Sequence, residues 1–249
     1  MIKDDTSRIW DVIVALVLLT RLPLPHAPKA AFARQAQATW AFPLAGLVVG
    51  LIAAAVGWLC MAMGLPAPVT GGVMLATLIV TTGAMHEDGL ADTADGLWGG
   101  YDAARRLEIM KDSHIGTYGV LALGLGLGLR WMVLSATLAV GMGPMIAAAV
   151  LSRGLLPALM AWVPHARRTG LSHHVGRPEG RVALAALGLA AVLAVVFAGF
   201  GVIWALVLAS LAVAALAAVA RRKIGGQTGD ILGAAQQLAE LVILLALMP

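Results

Sequence analysis

The chain has 249 residues, of which 60% are hydrophobic and only 12% are charged, and its mean hydropathy is +0.90. Soluble domains carry about 25% charged residues, so this composition excludes an ordinary water-soluble globular protein and indicates a polytopic membrane protein. The single cysteine, Cys60, excludes an intramolecular disulfide. The net charge of +4 is spread over several connecting segments, and we expect no nucleic-acid partner.

The first predicted element is a short helix over residues 7–22, which ends before Pro23. Its apolar part is too short to cross a hydrocarbon core of ~30 Å. The mixed-sign residues 3–5 that precede it do not resemble the basic region of a secretory signal. We therefore expect an interfacial or half-inserted helix within a cytoplasmic or interfacial N-terminal segment, residues 1–41.

Seven apolar runs follow, each near the ~20 residues that a membrane-spanning helix needs. Because backbone groups in lipid must hydrogen-bond internally, helices are the expected form for runs of this length. The runs cover residues 42–63, 69–85, 118–140, 145–163, 182–198, 202–220 and 231–248. The sequence thus predicts an all-α, polytopic integral membrane bundle of about seven transmembrane helices over residues 42–249. Together with the N-terminal segment it forms a single domain.

Lysine and arginine outside the apolar runs occur only in alternate connections. They lie in the N-terminal segment and after the second, fourth and sixth runs, whereas the other three connections carry no charge. The positive-inside rule then places the N-terminus in the cytoplasm and the C-terminus outside. We expect a multi-pass protein of the bacterial inner membrane whose basic connections face the cytoplasm.

The most unusual stretch is HEDGLADTADGLWGG, residues 86–100, where four carboxylates fall within nine residues. If the second span continues helically past Met85, a turn of about 100° per residue places Asp88, Asp92 and Asp95 on one face, with Glu87 about 100° away. Like charges at this spacing destabilise a helix. One interpretation is a solvated helix end, and the other is a site for Mg²⁺, which takes carboxylates together with substrate phosphates.

Two polar segments that contain glycine open later spans. They are KDSHIGTYG, residues 111–119, before the third span and GGQTGD, residues 225–230, before the seventh. Helix starts of this kind expose backbone N–H groups suited to phosphate, although each could also be an ordinary cap. The predicted topology places both on the same side as the acidic helix. Their convergence indicates phosphoryl transfer.

Three ionisable residues, Arg130, Arg153 and Glu240, lie near the middle of predicted spans. Charges inside a membrane usually face the bundle interior or a wet cavity. Two interpretations stay open. The residues form a structural Arg–Glu pairing, or the arginines form a cationic floor beneath the metal site, since arginine binds phosphate in a bidentate manner.

These motifs resemble those of the cobalamin synthase family, the adenosylcobinamide-GDP ribazoletransferases. The resemblance is carried, in family order, by LTRLPLP (19–25), FPLAG (42–46), HEDGLADTADGLWGG (86–100), MKDSHIGTYGV (110–120), LSR (151–153) and GGQTGDILGA (225–234) with Glu240. It implies the last nucleotide-loop step of cobalamin (vitamin B12) biosynthesis. In that step α-ribazole, or its 5′-phosphate, displaces GMP from adenosylcobinamide-GDP, with Mg²⁺ required. His114 departs from the arginine expected at its position.

The resemblance also implies which residues form the site. The catalytic carboxylates would be Glu87, Asp88, Asp92, Asp95 and Asp112, and the Mg²⁺ ligands among them Asp88, Asp92 and Asp95. Glu87 or one of the aspartates would take the hydroxyl proton. The substrate- and phosphate-binding residues would be Lys111, Ser113, Arg130, Arg153, Gln227, Thr228, Asp230 and Glu240. The cations among them would neutralise the charge that develops as GMP departs.

Two other functions compete with this one. A CDP-alcohol phosphotransferase also clusters helical aspartates around a metal, but its pattern requires an aspartate three residues before an Asp-Gly and Ala-Arg three residues after the glycine. Aligned on Asp88-Gly89, this chain offers Met85 and Asp92-Thr93, so the pattern fails. A transporter or proton channel would use buried charges as a relay and is expected to show inverted repeats, and the sequence shows no internal symmetry.

The expected partners are the two small-molecule substrates and the lipid bilayer. The third span contains Gly124, Gly126 and Gly128, a small-residue spacing that suits close helix packing. The same spacing is compatible with a contact between copies in a homo-oligomer.

Overall fold

The structure is a computed structural model that describes residues 5–248, with side chains from residue 8 onward. The first four residues of the predicted N-terminal segment, Lys3 among them, and the last residue, Pro249, lie outside this range. Within it the chain forms α-helices and no strands, as expected for an all-α protein. The helices are α1 (Asp5–Leu19), α2 (Lys29–Phe32), α3 (Gln35–Ala38), α4 (Phe42–Ala62), α5 (Ala67–Thr82), α6 (Met85–Gly99), α7 (Ala103–Ile109), α8 (Thr117–Thr137), α9 (Gly143–Trp162), α10 (Leu171–Val175), α11 (Gly180–Ala198), α12 (Val202–Ile224) and α13 (Gly229–Ala246).

Six stretches of the described chain are long and apolar enough to cross a membrane by themselves. They are α4 with the short helical turns before it, α8 with the 3₁₀ turn after it, α9, α11, α12 and α13. The pair α5 and α6 passes the same test only together and is bent by 88° between its halves. The predicted count of about seven spans is confirmed when this bent pair is counted as one.

The second predicted span is therefore not a continuous helix. Gly83 and Ala84, between α5 and α6, both have left-handed backbone conformations, with φ of 65° and 56°. The turn is closed by Ala84 N–H donating to the Ile79 carbonyl (2.9 Å) and Gly83 N–H donating to that of Val80 (3.1 Å), which is the Schellman pattern. The acidic stretch past Met85 is helical, as expected from the sequence, but it is not continuous with the second span. The sequence does not predict the break, because apolar run length does not report a reversal of backbone handedness.

The bend separates the apolar α5 from the acidic α6 and directs α6 along α8, from its start to Arg130. The two helices run antiparallel, since Asp95 contacts Gly119 near the start of α8 and Glu87 contacts Arg130 further along it. α6 thus carries its carboxylates from the end of the bundle into its interior.

The bundle is centred on α9, which is buried along most of its length and packs against α4, α11 and α13. At one edge, α1 packs on α4 with Val14 and Ala15 fully buried, and Trp40 Nε1 donates to Asp11 Oδ2 at 3.0 Å. α1 begins and ends two and three residues before the predicted bounds of 7 and 22.

α6 crosses α13 with the two backbones in direct contact. A Cβ atom added to Gly89 would lie 2.9 Å from the Asp230 carbonyl oxygen and 3.1 Å from the Gly233 Cα. By contrast, Gly124 and Gly128 have nothing within 4 Å of an added Cβ. The close helix packing predicted for the third span therefore does not occur at these two glycines within the chain, and it is found at the α6–α13 crossing.

Gly89→Ala should push α6 and α13 apart, because the atoms that it would meet belong to the backbone of α13 and cannot rotate away. We expect a loss of about 1–3 kcal/mol in the free energy of unfolding, the usual cost of overpacking. Thermal unfolding in detergent measures it. The control is Gly124→Ala, which enters open space and should be neutral or slightly stabilising. Equal effects of the two substitutions would contradict the crossing geometry.

Candidate active site

A cavity of about 500 Å³ opens beside the acidic helix. Its walls are contributed by α6 and Ala84 before it, by the connection between α7 and α8, and by one residue of α8. The polar lining residues are Glu87, Asp88, Asp92, Lys111, Asp112, Ser113 and His114. Asp88 is exposed in it and Asp92 is half-buried. The cavity brings together two of the predicted motifs, the acidic helix and the KDSH segment.

Asp95 has a different place from the other two aspartates on its face of α6. Its side chain is buried, and its two carboxylate oxygens accept the backbone N–H groups of Gly116 (2.7 Å) and Gly119 (2.9 Å). A negative charge at the N-terminus of a helix is favourable, so Asp95 fixes the start of α8 against α6. The structure does not bring Asp95 to the cavity as the predicted third metal ligand.

Asp230 approaches the acidic helix from the opposite side, in the first turn of α13. Thr228 begins that helix by accepting the backbone N–H of Ile231 (3.2 Å), and its hydroxyl donates to Asp230 Oδ2 (3.1 Å). The charge of Asp230 is close enough to act on Asp92. The third predicted motif therefore meets the first where α13 crosses α6.

Arg167 is a residue that the sequence interpretation missed. Its Nη2 donates to Asp230 Oδ2 (3.1 Å), while its Nη1 is buried with no hydrogen-bond partner in the described structure. It lies in the connection between α9 and α10, which contains two adjacent arginines, Arg167 and Arg168. No local signal in the sequence distinguishes Arg167 from its neighbours, because the contact depends on how this connection folds over the start of α13.

Gln227 holds that connection in place. Its side-chain oxygen accepts from Ser172 Oγ (2.6 Å), and its Nε2 lies 2.9 Å from His165 Nδ1. Backbone bonds join Gln227 N–H to the Pro164 carbonyl (2.8 Å) and Ala166 N–H to the Gln227 carbonyl (2.9 Å). Gln227 is fully buried, so the structure gives it a positioning contact and not the predicted place in the substrate cavity.

The mid-span charges Arg130, Arg153 and Glu240 form a buried network and do not line the cavity. Arg130 pairs with Glu240 and, at 2.9 Å, with Glu87, while Arg153 lies 3.6 Å from the other oxygen of Glu240. Arg130, Arg153 and Glu240 are each only 2% exposed. The geometry favours the Arg–Glu pairing among the two sequence interpretations, because a cationic floor would need guanidinium groups that face open space.

Glu87 belongs to this network and not to the aspartate face. Its Oε1 accepts from Arg130 and from Gln237 Nε2 (3.1 Å). Glu87 also lines the end of the cavity where α6 begins, but it is only 7% exposed. The expectation that Glu87 lies apart from the three aspartates is thereby confirmed.

The connection between α7 and α8 carries an exposed acid–base pair at the cavity mouth. His114 Nδ1 lies 2.7 Å from Asp112 Oδ1, which also accepts the His114 backbone N–H (3.1 Å). The hydrogen bond to Asp112 and the charge of that carboxylate raise the pKa of His114, and the hydrogen bonds from His114 lower the pKa of Asp112. His114 is therefore protonated over a wider pH range than an isolated histidine.

Asp88 and Asp92 are the carboxylates best placed to hold a divalent cation. They lie about one helical turn apart. Among residues 5–248 no three Asp, Glu, His or Cys side chains are grouped as a complete metal site. Mg²⁺ commonly takes only one or two protein carboxylates and fills its other positions with water and substrate phosphate. Two hard oxygen ligands beside an open cavity fit such an ion.

Comparison with known proteins gives a consistent result. The chain matches the family described as cobalamin-5-phosphate synthase over residues 11–248. It is 47% identical over 240 residues to an adenosylcobinamide-GDP ribazoletransferase of Bradyrhizobium diazoefficiens, covering 95% of this chain and 92% of the relative. Relatives with the same name from Xanthobacter autotrophicus and Mesorhizobium japonicum are 46% and 43% identical, covering 96% and 94% of this chain and 95% and 91% of their own lengths. No solved structure matches the chain.

Proposed function

The chain belongs to the cobalamin-5-phosphate synthase family, and from that membership we propose how its residues carry out the reaction. The activity is that of an adenosylcobinamide-GDP ribazoletransferase, the final assembly step of cobalamin biosynthesis. The observation that supports a site on α6 is the cavity where Asp88 and Asp92 face Lys111.

The proposed reaction is a single displacement at phosphorus. A hydroxyl of α-ribazole, or of its 5′-phosphate, attacks the cobinamide-linked phosphorus of adenosylcobinamide-GDP. A new P–O bond forms, the bond from that phosphorus to the bridging anhydride oxygen breaks, and GMP leaves with the bonding electrons. The hydroxyl proton passes to a carboxylate of the protein. The product is adenosylcobalamin or its 5′-phosphate.

Asp88 and Asp92 have the central roles in this proposal. They would hold Mg²⁺, which when bound lowers the energy of the charge that develops on the phosphoryl oxygens. The same two aspartates are better placed as proton acceptors than Glu87, whose Oε1 is engaged by Arg130 and Gln237 and whose Oε2 is buried. Asp112 lies at the cavity mouth, where its partner His114 can approach a phosphate.

The sequence predicts that Arg130 and Arg153 bind the substrate phosphates. We propose that other cations, closer to the cavity, have this role. Lys111 lines the cavity directly. Arg167 approaches from the α13 side, with a buried Nη1 that has no partner in the described structure. An arginine held by a carboxylate on one side keeps donors free for a phosphate on the other. We therefore propose Lys111 and Arg167 as the groups that neutralise the departing GMP.

A reconstituted assay tests the function and its metal requirement. The purified protein in liposomes receives adenosylcobinamide-GDP, α-ribazole and Mg²⁺, and GMP and corrinoid products are measured by mass spectrometry. We expect equal amounts of GMP and adenosylcobalamin, and none of either when Mg²⁺ is chelated. Omission of α-ribazole should also stop GMP release, since the nucleophile is then missing. A folded preparation that forms no cobalamin would overturn the proposal.

Arg167→Gln should weaken substrate binding and slow turnover together, because the lost cation would act on both the bound pyrophosphate and the leaving group. We expect a reduction of kcat/KM of about 100-fold, in the range seen when one charge-stabilising donor is removed. Steady-state kinetics with varied adenosylcobinamide-GDP measure it. Arg168→Gln, at the exposed neighbouring position, is the matched control and should change kcat/KM little.

His114→Arg should flatten the pH dependence of activity on the alkaline side. The imidazole is charged below its raised pKa and loses its charge as the pH rises through that value, whereas arginine stays charged. The ratio of kcat/KM between variant and wild type should be near unity in acid and increase above neutrality. A ratio that does not change with pH would exclude His114 as a phosphate contact.

We also propose the orientation that the basic connections indicate: N-terminus and active site at the cytoplasmic side of the inner membrane, C-terminus outside. Under this proposal the charged substrates reach the site from the cytoplasm and do not have to cross the membrane. A topology reporter fused after Pro249 should report the outside. A cytoplasmic signal would mean that the bent pair α5–α6 does not act as one span.

A further inference from the structure

We propose that a groove on the outside of the bundle, bounded by α9, α11 and α12, binds an anionic phospholipid. The groove has a volume of about 570 Å³, similar to that of the active-site cavity, but its composition differs completely. Its inner walls are apolar and include Leu155 and Leu159 of α9, Leu187 of α11, and Val213 and Ala217 of α12.

The groove exists because α11 and α12 pack on different partners. α11 lies mainly against α9, and α12 lies mainly against α13, so the two have little contact with each other. Small side chains on α12, among them Ala214 and Ala218, leave the space between them open. In a membrane such a gap must be filled by hydrocarbon, because its apolar walls offer water no hydrogen bonds.

One end of the groove carries positive charge. Arg221 and Arg222, in the last turn of α12, line it and are both exposed, and neither has a carboxylate within 4 Å among the described residues. Trp162, the last residue of α9, lines the same end and is 56% exposed. Tryptophan and arginine are the side chains expected at the level of lipid headgroups.

The length of the groove matches one leaflet of the bilayer. From Ser210 to Arg222, its lining runs along thirteen residues of α12, or about 18 Å of helix. Half of a typical hydrocarbon core is about 15 Å thick. The charged end also lies at the acidic end of the bundle, since Lys223 Nζ donates to the Leu97 carbonyl of α6 (2.7 Å). A phospholipid whose acyl chain lies in the groove therefore has its headgroup phosphate beside Arg221 and Arg222.

Native mass spectrometry of the whole protein, released from mixed phosphatidylglycerol and phosphatidylcholine, tests the site. We expect the wild type to retain phosphatidylglycerol in preference to phosphatidylcholine. In the double variant Arg221→Gln, Arg222→Gln, the ratio of retained phosphatidylglycerol to phosphatidylcholine should decrease about fivefold for each arginine removed. This factor corresponds to the usual attraction of one basic side chain to anionic lipid. The control variant Arg105→Gln, Arg168→Gln removes two exposed arginines that do not line the groove, and it should retain the preference.

A second pair of variants tests the groove itself. Ala218→Trp fills it from an exposed position and should displace the bound lipid, whereas Ala215→Trp places the same side chain on an exposed part of α12 outside the groove. Both should leave the unfolding midpoint close to that of the wild type. Retention of both lipids alike by the wild type would overturn the proposal. So would a dimer that Ala218→Trp dissociates, because a second copy would then occupy the groove.

Discussion

Asp92→Asn should lower turnover by about three orders of magnitude while the protein stays folded, because the substitution keeps the shape of the side chain and removes the charge that would hold Mg²⁺. Asp92 is half-buried at the cavity and has the charges of Asp88 and Asp230 nearby. Loss of one charge from this group relieves repulsion, so the unfolding temperature should stay the same or increase. Turnover is measured as GMP release in liposomes.

The control for Asp92→Asn is Glu108→Gln, which removes a carboxylate from α7 that is exposed and paired with Arg105. It does not line the cavity and should leave turnover near that of the wild type. The Mg²⁺ concentration needed for half-maximal activity separates metal binding from other roles. Near-normal turnover of the Asp92 variant would remove this residue from the metal site.

Glu240→Gln should have the largest effect on stability. The substitution leaves two buried arginines, Arg130 and Arg153, with Glu87 as the remaining carboxylate of the network. Removal of one partner from a buried ion pair costs about 3–5 kcal/mol, because the other charge stays buried without compensation. Unfolding of the variant in mixed micelles should therefore occur at a much lower denaturant concentration.

The double variant Arg153→Gln, Glu240→Gln distinguishes a structural network from a substrate site. It leaves the Arg130–Glu87 pair intact and restores the balance of charge, so stability should recover relative to Glu240→Gln. If the network is structural, turnover per folded molecule recovers as well. A stable but inactive double variant would instead support the predicted contact of Arg153 and Glu240 with substrate.

The sequence predicts the architecture well where the physics is local. The length of the apolar runs yields the all-α bundle and its span count, and the helical period separates Glu87 from Asp88 and Asp92. The first follows from the preference of apolar side chains for lipid, and the second from the angle of about 100° between successive residues of a helix. Both act on each segment independently of the rest of the fold.

The details of the site depend on contacts that no single segment determines. Asp95 lies on the predicted face, yet the backbone of α8 covers it. Arg167 reaches Asp230 because a distant connection folds over α13. The bend at Gly83 and Ala84 includes an alanine in a conformation that alanine rarely adopts, so tertiary packing and not local preference fixes it there.

The buried network also has a consequence for biosynthesis. Arg130 of α8 can pair at once with Glu87, because α6 is synthesised earlier, but the carboxylate that pairs with Arg153 belongs to α13, the last helix in chain order. Chains emerge from the ribosome N-terminus first. α9 therefore enters the bilayer before Glu240, the carboxylate that pairs with Arg153, has been synthesised. A polypeptide that stops before α13 retains this costly intramembrane charge. The charge network in the interior of the bundle is therefore complete only when α13 has packed against α8 and α9.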